Sequence, residues 1–364
     1  MQRVNVILLL VFAGLTAVLH AQDRGLPERL LLRDYRPVSV YRTPRTLVTK
    51  ARYPAIDMHA HAYAGTPEQV GQWVRVMDEH GIAKAIVLAR TTGARFDALH
   101  RLYSTHPDRF ELWCGFDYTG YDEPGFGPAA VKELRRCYQA GARGVGELGD
   151  KGRGLCYSTP TKAWGMHLDD PRMDPLLEAC AELGMPVSIH VADPYWMYQP
   201  MDATNDGLMN AHKWRLDNQP GIVGHAGMID ILERAVRRHP RTTFIACHFA
   251  NCSHDLNRLG SLFDKYPNLY ADISARYAET AAIPRFTARF YERYQDRLLY
   301  GTDMQFSKDL YRLTFRILES ADEHFYAWRY FSYHWPLYGL SLSEPVLEKV
   351  YRANALNILE RRPR

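Results

Sequence analysis

The sequence predicts a (β/α)8 TIM barrel of the α/β class, with an irregular N-terminal arm and a C-terminal helix. Three observations point there. Between Ala55 and Asp303, eight short apolar runs alternate with stretches of helical length. The runs are continuous rather than alternating in polarity, as strands of a parallel sheet buried on both faces are. A chain of 364 residues also has room for the roughly 250 that such a barrel needs, plus long loops. A doubly wound open sheet is the competing architecture, and eight strand signals favour closure.

Composition is that of an ordinary globular protein, 46% hydrophobic and 24% charged, and can bury a large core. The net charge of +4 is small for this length. No stretch after the arm interleaves dense Lys/Arg with aromatics, so nucleic acid is not an expected partner. There is no internal repeat and no low-complexity segment.

At the N-terminus, Arg3 precedes the apolar run Val4–Leu19, and Ala21 is a small residue at a plausible cut. This is the layout of a secretory leader over residues 1–21, shorter than the ~20 apolar residues of a membrane span. Export to the periplasm or medium is expected, with no membrane association after cleavage; an uncleaved anchor is the alternative. No Cys stands at the cut, which argues against a lipoprotein. Residues 22–52 carry eight cationic side chains and Pro27, Pro37 and Pro44 without sustained periodicity. They read as an arm along the surface of a domain spanning 53–360, with disorder expected before Leu30.

The elements follow in order. Ala55–His59 is a strand. Thr66–His80 is a helix opened by Pro67 and Glu68 and closed by Gly81. Lys84–Ala89 is the second strand, with a helix near Phe96–Thr105. Leu112–Phe116 and the helix Pro128–Ala140 come next, then Ala142–Leu148 as the fourth strand. A Gly-rich loop, Gly149–Arg172, carries Lys151 and Arg153. The helix Met173–Leu183 leads to the fifth strand, Pro186–His190. An aromatic excursion, Val191–Gly227, holds Tyr195, Trp196, Tyr198 and Trp214 and reads as a pocket lid or a packed surface loop. The helix Met228–Arg238 precedes the sixth strand, Thr242–His248. Leu256–Lys265, the strand Leu269–Ile273, the helix Ile283–Tyr294 and the strand Arg297–Asp303 complete the series. Glu344–Leu359 is a terminal helix with Val346, Val350, Tyr351, Ala355 and Ile358 on one side.

In such barrels the site lies at the C-terminal strand ends. The polar residues there are His59 and His61, Glu147, His190, His248 and Asp303. Residues i and i+2 of an extended chain share a side, so His59 and His61 can aim at one point. Imidazoles with carboxylates suit an open transition-metal centre better than a closed structural one. Each residue alone reads equally well as a hydrogen-bonded structural group; the joint placement makes the set. Asp57, facing the same side as His59, is expected to support it, and His167, His212, His225 and His254 are expected to be ordinary loop or helix histidines. Arg276, after the seventh strand, is the candidate for a substrate carboxylate, with an ion pair to Asp272 or Glu279 as the alternative.

The order His-x-His, His, His, Asp over strands 1, 5, 6 and 8 resembles the amidohydrolase superfamily. The segments Ile56-Asp-Met-His-Ala-His61, Tyr300-Gly-Thr-Asp303 and Asn354-Ala-Leu-Asn-Ile-Leu359 look like its amidohydrolase-related branch, which also includes aminocarboxymuconate-semialdehyde decarboxylase-like enzymes. The resemblance spans about residues 53–360. It implies a metal-dependent barrel, with zinc held by His59, His61, His190 and Asp303. His248 would then be a proton shuttle or carbonyl polariser. Two-metal members place a bridging carboxylate on strand 4, where Glu147 stands; a salt bridge of Glu147 to Lys151 or Arg276 is the alternative. One ion or two is therefore open.

The expected activity is hydrolysis of an amide, ester or lactone in a small molecule. Hydroxide generated at the metal would attack the carbonyl, with Asp303 as general base and acid and His248 stabilising the oxyanion. The rival is a decarboxylase or hydratase acting on a small carboxylic acid; a third reading is an inactive barrel used for binding. A homo-oligomer is compatible with the sequence. Cys114, Cys137, Cys156, Cys180, Cys247 and Cys252 show no disulfide framework and read as buried thiols, with a Cys247–Cys252 bridge as the exception to consider.

Overall fold

The computed structural model describes residues 27–157 and 161–360; the expected leader, 1–21, lies outside the described residues. Residues up to Val38 and those from Ser39 onward are two units. Of the first, the described part holds two 3-10 turns, Pro27–Arg29 and Leu32–Asp34, with no buried residue. Within the second, residues 39–52 are tied down by specific bonds. Thr46 donates its N–H and Oγ1 to Asp322 at 2.8 and 2.6 Å, and Ala51 N–H donates to His80 O at 3.0 Å.

Eight parallel strands form the barrel: β1 Ala55–Ala60, β2 Ile82–Leu88, β3 Phe110–Trp113, β4 Val145–Asp150, β5 Val187–Val191, β6 Phe244–Ala246, β7 Leu269–Asp272 and β8 Leu298–Leu299. Regular ladders join β1–β2–β3 and β4 through β8. Two shorter junctions close the circle. Cys114 N–H donates to Gly144 O and Gly146 N–H to Cys114 O, at 3.0 and 2.8 Å. Met58 N–H donates to Tyr300 O and Asp303 N–H to His59 O, both at 2.9 Å. Gly301 makes the second junction feasible, because a Cβ there would lie 2.8 Å from the His59 Cβ.

The first helix shows how local sequence builds the outer ring. Thr66 Oγ1 accepts from Gln69 N–H, Pro67 occupies the first turn, and Gly81 ends Pro67–His80 in the left-handed region at φ 74°. Its buried residues Val70, Trp73, Met77 and His80 recur every three to four positions, so one stripe faces the barrel. Truncating Trp73 there would cost about 3–5 kcal/mol. A second apolar layer fills the barrel itself: Ile56, Met58, Ile86, Leu88, Trp113, Ile245, Tyr270 and Leu299 cluster with Ala355 and Ile358 of the terminal helix. That helix runs from Glu344 to Glu360 with a π turn at Lys349–Ala353, and Asn354 Nδ2 donates to Leu298 O at 2.8 Å. It therefore covers the end of the barrel opposite the site.

Several expected boundaries move. The sixth strand stops at Ala246, because Cys247–Asn251 folds into a tight turn. The eighth keeps only two ladder residues. The loop 149–172 opens with strand residues Gly149 and Asp150 and contains a small hairpin, Gly154–Leu155 with Ala163–Trp164. The helices Tyr277–Ala281 and Lys308–Glu319 were not expected from the sequence. All six cysteines are free and buried. Among the described residues no helix is long and apolar enough to cross a membrane.

Candidate metal centre

The strand ends bring every expected ligand to one place. Although β1 loses strict register with β2 between Asp57 and Ala60, the rings of His59 and His61 converge, with centroids 5.3 Å apart. Glu147, from β4, sits in the middle. Its Oε1 lies 2.9 Å from His190 Nδ1, 3.4 Å from His248 Nε2 and 3.6 Å from His59 Nε2, and its Oε2 lies 3.5 Å from His61 Nε2. Asp303 Oδ1 is 3.0 Å from His61 Nε2 and 3.5 Å from His59 Nε2, and its Oδ2 is 3.7 Å from His248 Nε2. Among the described residues four groups could hold an ion: His59–His61–Glu147, His59–His248–Asp303, Glu147–His190–His248 and, behind His59, His59–Cys247–Asp272.

The outward nitrogen of each imidazole is engaged, which fixes the ring and aims the other nitrogen inward. His59 Nδ1 meets Asp272 Oδ2 at 2.9 Å, His61 Nδ1 meets Leu88 O at 3.0 Å, and His248 Nδ1 meets Ser274 O at 3.0 Å. His190 is reversed: its Nε2 meets Asp193 Oδ1 at 2.9 Å and its Nδ1 faces the centre. His59 Nε2 is buried with no hydrogen-bond partner. A buried, unsatisfied imidazole nitrogen among carboxylates is what a ligand to a cation looks like before the cation is counted.

Electrostatics point the same way. Burial alone would raise the acidic groups, yet the surrounding imidazoles, His59 foremost, hold Glu147 and Asp272 well below the usual carboxylate range and Asp303 at about 2. Burial would likewise lower His59, but Asp272, Asp303 and Glu147 push it well above its ordinary value. The cluster thus has a surplus of buried negative charge that a divalent cation neutralises without protonating any ligand.

The backbone is strained at the rim. Arg90, Ala192, Ala275 and Asp303, each just past a strand, have φ between 55° and 59°, and four consecutive residues, His248 to Asn251, have φ between 52° and 62°. Such conformations cost roughly 1–2 kcal/mol each. Compensation is visible at the His248 turn. His248 N–H donates to Asp272 Oδ1 at 3.1 Å, and Asn251 Nδ2 donates to Val191 O and Ala192 O at 3.0 and 3.2 Å.

The remaining expectations sort as follows. Glu147 does not pair with Lys151 or Arg276: Lys151 Nζ lies on Asp193 Oδ2 at 2.8 Å, and Arg276 Nε donates to Asn251 Oδ1 at 2.8 Å. Arg276 is 3.6 Å from Glu279 and is not paired with Asp272, which His59 occupies. Asp57 accepts from His59 N–H and from both N–H and Oγ1 of Thr302, tying β1 to β8. His167 bonds Asp150, His212 bonds Leu208 O, His225 bonds Asn251 O, and His254 stacks on Tyr195. The aromatic excursion is packed: Met197, Ala211 and Leu216 form a small core, and Trp196 lies against Tyr333 and Trp335.

The amidohydrolase family model matches residues 56–361. The chain belongs to the amidohydrolase family. This family is metal-dependent, and the cluster is a candidate site for its metal. Among solved structures, one from Staphylococcus aureus, provisionally named an amidohydrolase, is 16% identical with a TM-score of 0.55, covering 84% of this chain and 99% of that one. The 5-carboxyvanillate decarboxylase of Novosphingobium aromaticivorans, complexed with manganese and 4-hydroxy-3-methoxy-5-nitrobenzoic acid, is 16% identical with a TM-score of 0.53, over 87% of this chain and 100% of that one. A TIM-barrel protein from Bordetella bronchiseptica is 18% identical with a TM-score of 0.50, over 84% and 98%. At these identities the likeness is one of fold. No curated protein matches the chain.

Sequence reasoning missed the residues that back the candidate ligands of this amidohydrolase: Asp272, Ser274, Asp193 and the Leu88 carbonyl. Asp272 offered a signal, since a carboxylate ending the apolar run Leu269–Asp272 must be buried. Arg90, whose Nη1 is 3.8 Å from Glu147 Oε2, was also missed.

Proposed function

We propose that this amidohydrolase is a hydrolase of a small molecule, cleaving an amide, ester or lactone, and that the strand-end cluster holds its divalent cation. The observation that carries the reading is the inward aim of four fixed imidazoles, with His59 Nε2 buried and unpartnered. His59, His61, His190 and Asp303 would hold one ion, with Glu147 beside them; Glu147, His190 and His248 are the candidate ligands of a second. Zinc suits so imidazole-rich a set. Bound there, a cation supplies Lewis acidity, polarising a carbonyl and easing proton loss from water.

The chain's own residues do the rest. Asp303 is partly open, its side chain 23% exposed, and is ionised at neutral pH with its level at about 2. It is placed to accept a proton from water and return it to the leaving group. His248 is held below its ordinary value first by burial and then by His190, so it is neutral. Its Nδ1 proton goes to Ser274 O, which leaves Nε2 without one. His248 is thus ready to bind an ion or take a proton, and contacts an oxyanion only after protonation.

A second reading, decarboxylation or hydration of a small carboxylic acid, is favoured by the cations around the centre: Arg90, Lys151 and Arg276. Loading the protein with zinc and assaying panels of esters, lactones, amides and small acids separates the two. Hydrolysis abolished in Asp303→Asn is expected; CO2 release without hydrolysis would overturn the first reading. We also propose export, supported by the apolar run Val4–Leu19 behind Arg3; fractionation of expressing cells tests it.

A further inference from the structure

His190 differs from the other three histidines in which nitrogen faces inward, and the structure shows what enforces the difference. Its Nε2 lies 2.9 Å from Asp193 Oδ1, while the second oxygen of the same carboxylate, Oδ2, is 2.8 Å from Lys151 Nζ. Asp193 is buried, and its position is fixed at the backbone as well: its N–H donates to Tyr198 Oη at 3.2 Å, and Tyr198 Oη donates to Lys151 O at 2.8 Å. The Lys151 ammonium is 4.9 Å from the Tyr157 ring centre. A carboxylate only accepts and an ammonium only donates. On the other side of the ring His190 Nδ1 meets Glu147 Oε1 at 2.9 Å and His248 Nε2 at 3.1 Å, so without a cation both ring nitrogens donate. A cation displaces the Nδ1 proton, and the Lys151–Asp193 pair keeps the one on Nε2.

We propose that Asp193 is a positioning residue for cation binding, that it selects the Nε2–H tautomer of His190, and that Lys151 sets the direction in which Asp193 works. The inference rests on the reading of His190 as a ligand. It makes an order of effects that simple loss of a contact would not. In Asp193→Asn the amide oxygen must turn to Lys151, which has no acceptor to offer. The amide NH2 then faces His190 Nε2 and drives the proton onto Nδ1, the atom that should bind the cation. Asp193→Ala fixes neither tautomer. The isosteric substitution is thus the more damaging one.

The test is cobalt(II) binding to the full chain, followed by the visible spectrum of the bound ion and by competition with a chelator. Supporting partners of metal-bound histidines are worth about 10–100-fold in affinity. The expected loss is about tenfold for Asp193→Ala and about a hundredfold for Asp193→Asn, measured well below the melting temperature of each metal-free variant so that any stability lost with the Lys151–Asp193 pair does not enter the affinity. In Lys151→Met/Asp193→Asn the amide is free to turn its oxygen to His190, so affinity recovers severalfold over Asp193→Asn alone. Tighter binding by the Asn variant than by the Ala variant, or no recovery in the double variant, overturns the proposal. Wild type that binds no cobalt would instead overturn the metal reading beneath it.

Discussion

His59 and His190 are both backed by an aspartate, and the two backings do different work. His59 and Asp272 form an inner wall with side chains fully enclosed. Asp272 accepts from His59 Nδ1, from the N–H groups of His248 and Ser274, and from Ser274 Oγ, so one carboxylate knits β1 to the turns after β6 and β7. His190 and Asp193 form an outer wall at the mouth, where the His190 side chain is 13% exposed and Lys151 balances the aspartate. The inner pair is part of how the barrel closes. The outer pair joins His190 to the two loops that carry Asp193 and Lys151 and takes no part in the β1–β8 junction. One imidazole is therefore fixed by contacts that also hold the strands together, and the other by a local chain of charges.

The largest effect should come from the inner wall. Asp272→Ala leaves His59 and the strained His248 turn without their common acceptor; breaking a buried pair of this kind costs about 3–5 kcal/mol. Denaturant unfolding should show that loss together with abolished cation binding. A variant as stable as wild type would mean that Asp272 tunes a ligand just as Asp193 does, and the contrast between the walls would fall.

A smaller effect, in the dependence on pH, sharpens the comparison from beneath His59. Burial raises Asp57 to about 6 in spite of its bonds from Thr302 and His59. The folded chain therefore holds that proton more tightly than the unfolded chain, whose value is near 3.8. Stability from this group is fully present below the unfolded value and lost as pH rises through about 6. Asp303 has the opposite sign, since it is depressed to about 2, and contributes stability that is lost as pH falls towards that value. In metal-free protein, the unfolding free energy of wild type minus that of Asp57→Asn should rise as pH drops from 7 to 4. A flat difference would show that Asp57 is not held protonated by burial.

Much of this was legible in the sequence because strand ends are marked by a change in chemistry. His59, His61, Glu147, His190, His248 and Asp303 each stand where an apolar run stops, and all six meet in the structure. What was not legible depends on backbone geometry and tertiary distance. The left-handed turn at His248–Asn251 contains no glycine, so nothing in the residues announces it, and the sixth strand was drawn two residues past its C-terminal end. Asp193 reads as the start of a loop until Lys151, 42 positions earlier, arrives beside it. Arg276 was assigned to the right neighbourhood, yet its nearest acceptor, Asn251, belongs to that same unannounced turn. The helix Lys308–Glu319 was missed, although its buried residues Leu310, Tyr311, Thr314, Phe315 and Leu318 follow a helical spacing.

The central claim is that the strand-end cluster binds a divalent cation. Elemental analysis of protein purified without chelator, wild type beside His59→Ala, tests it most directly. The account predicts at least one equivalent of metal per wild-type chain, with a second equivalent if Glu147 bridges two ions, and near-complete loss in His59→Ala. Wild type that carries no metal and takes up none from added zinc, or a variant with undiminished content, would contradict it.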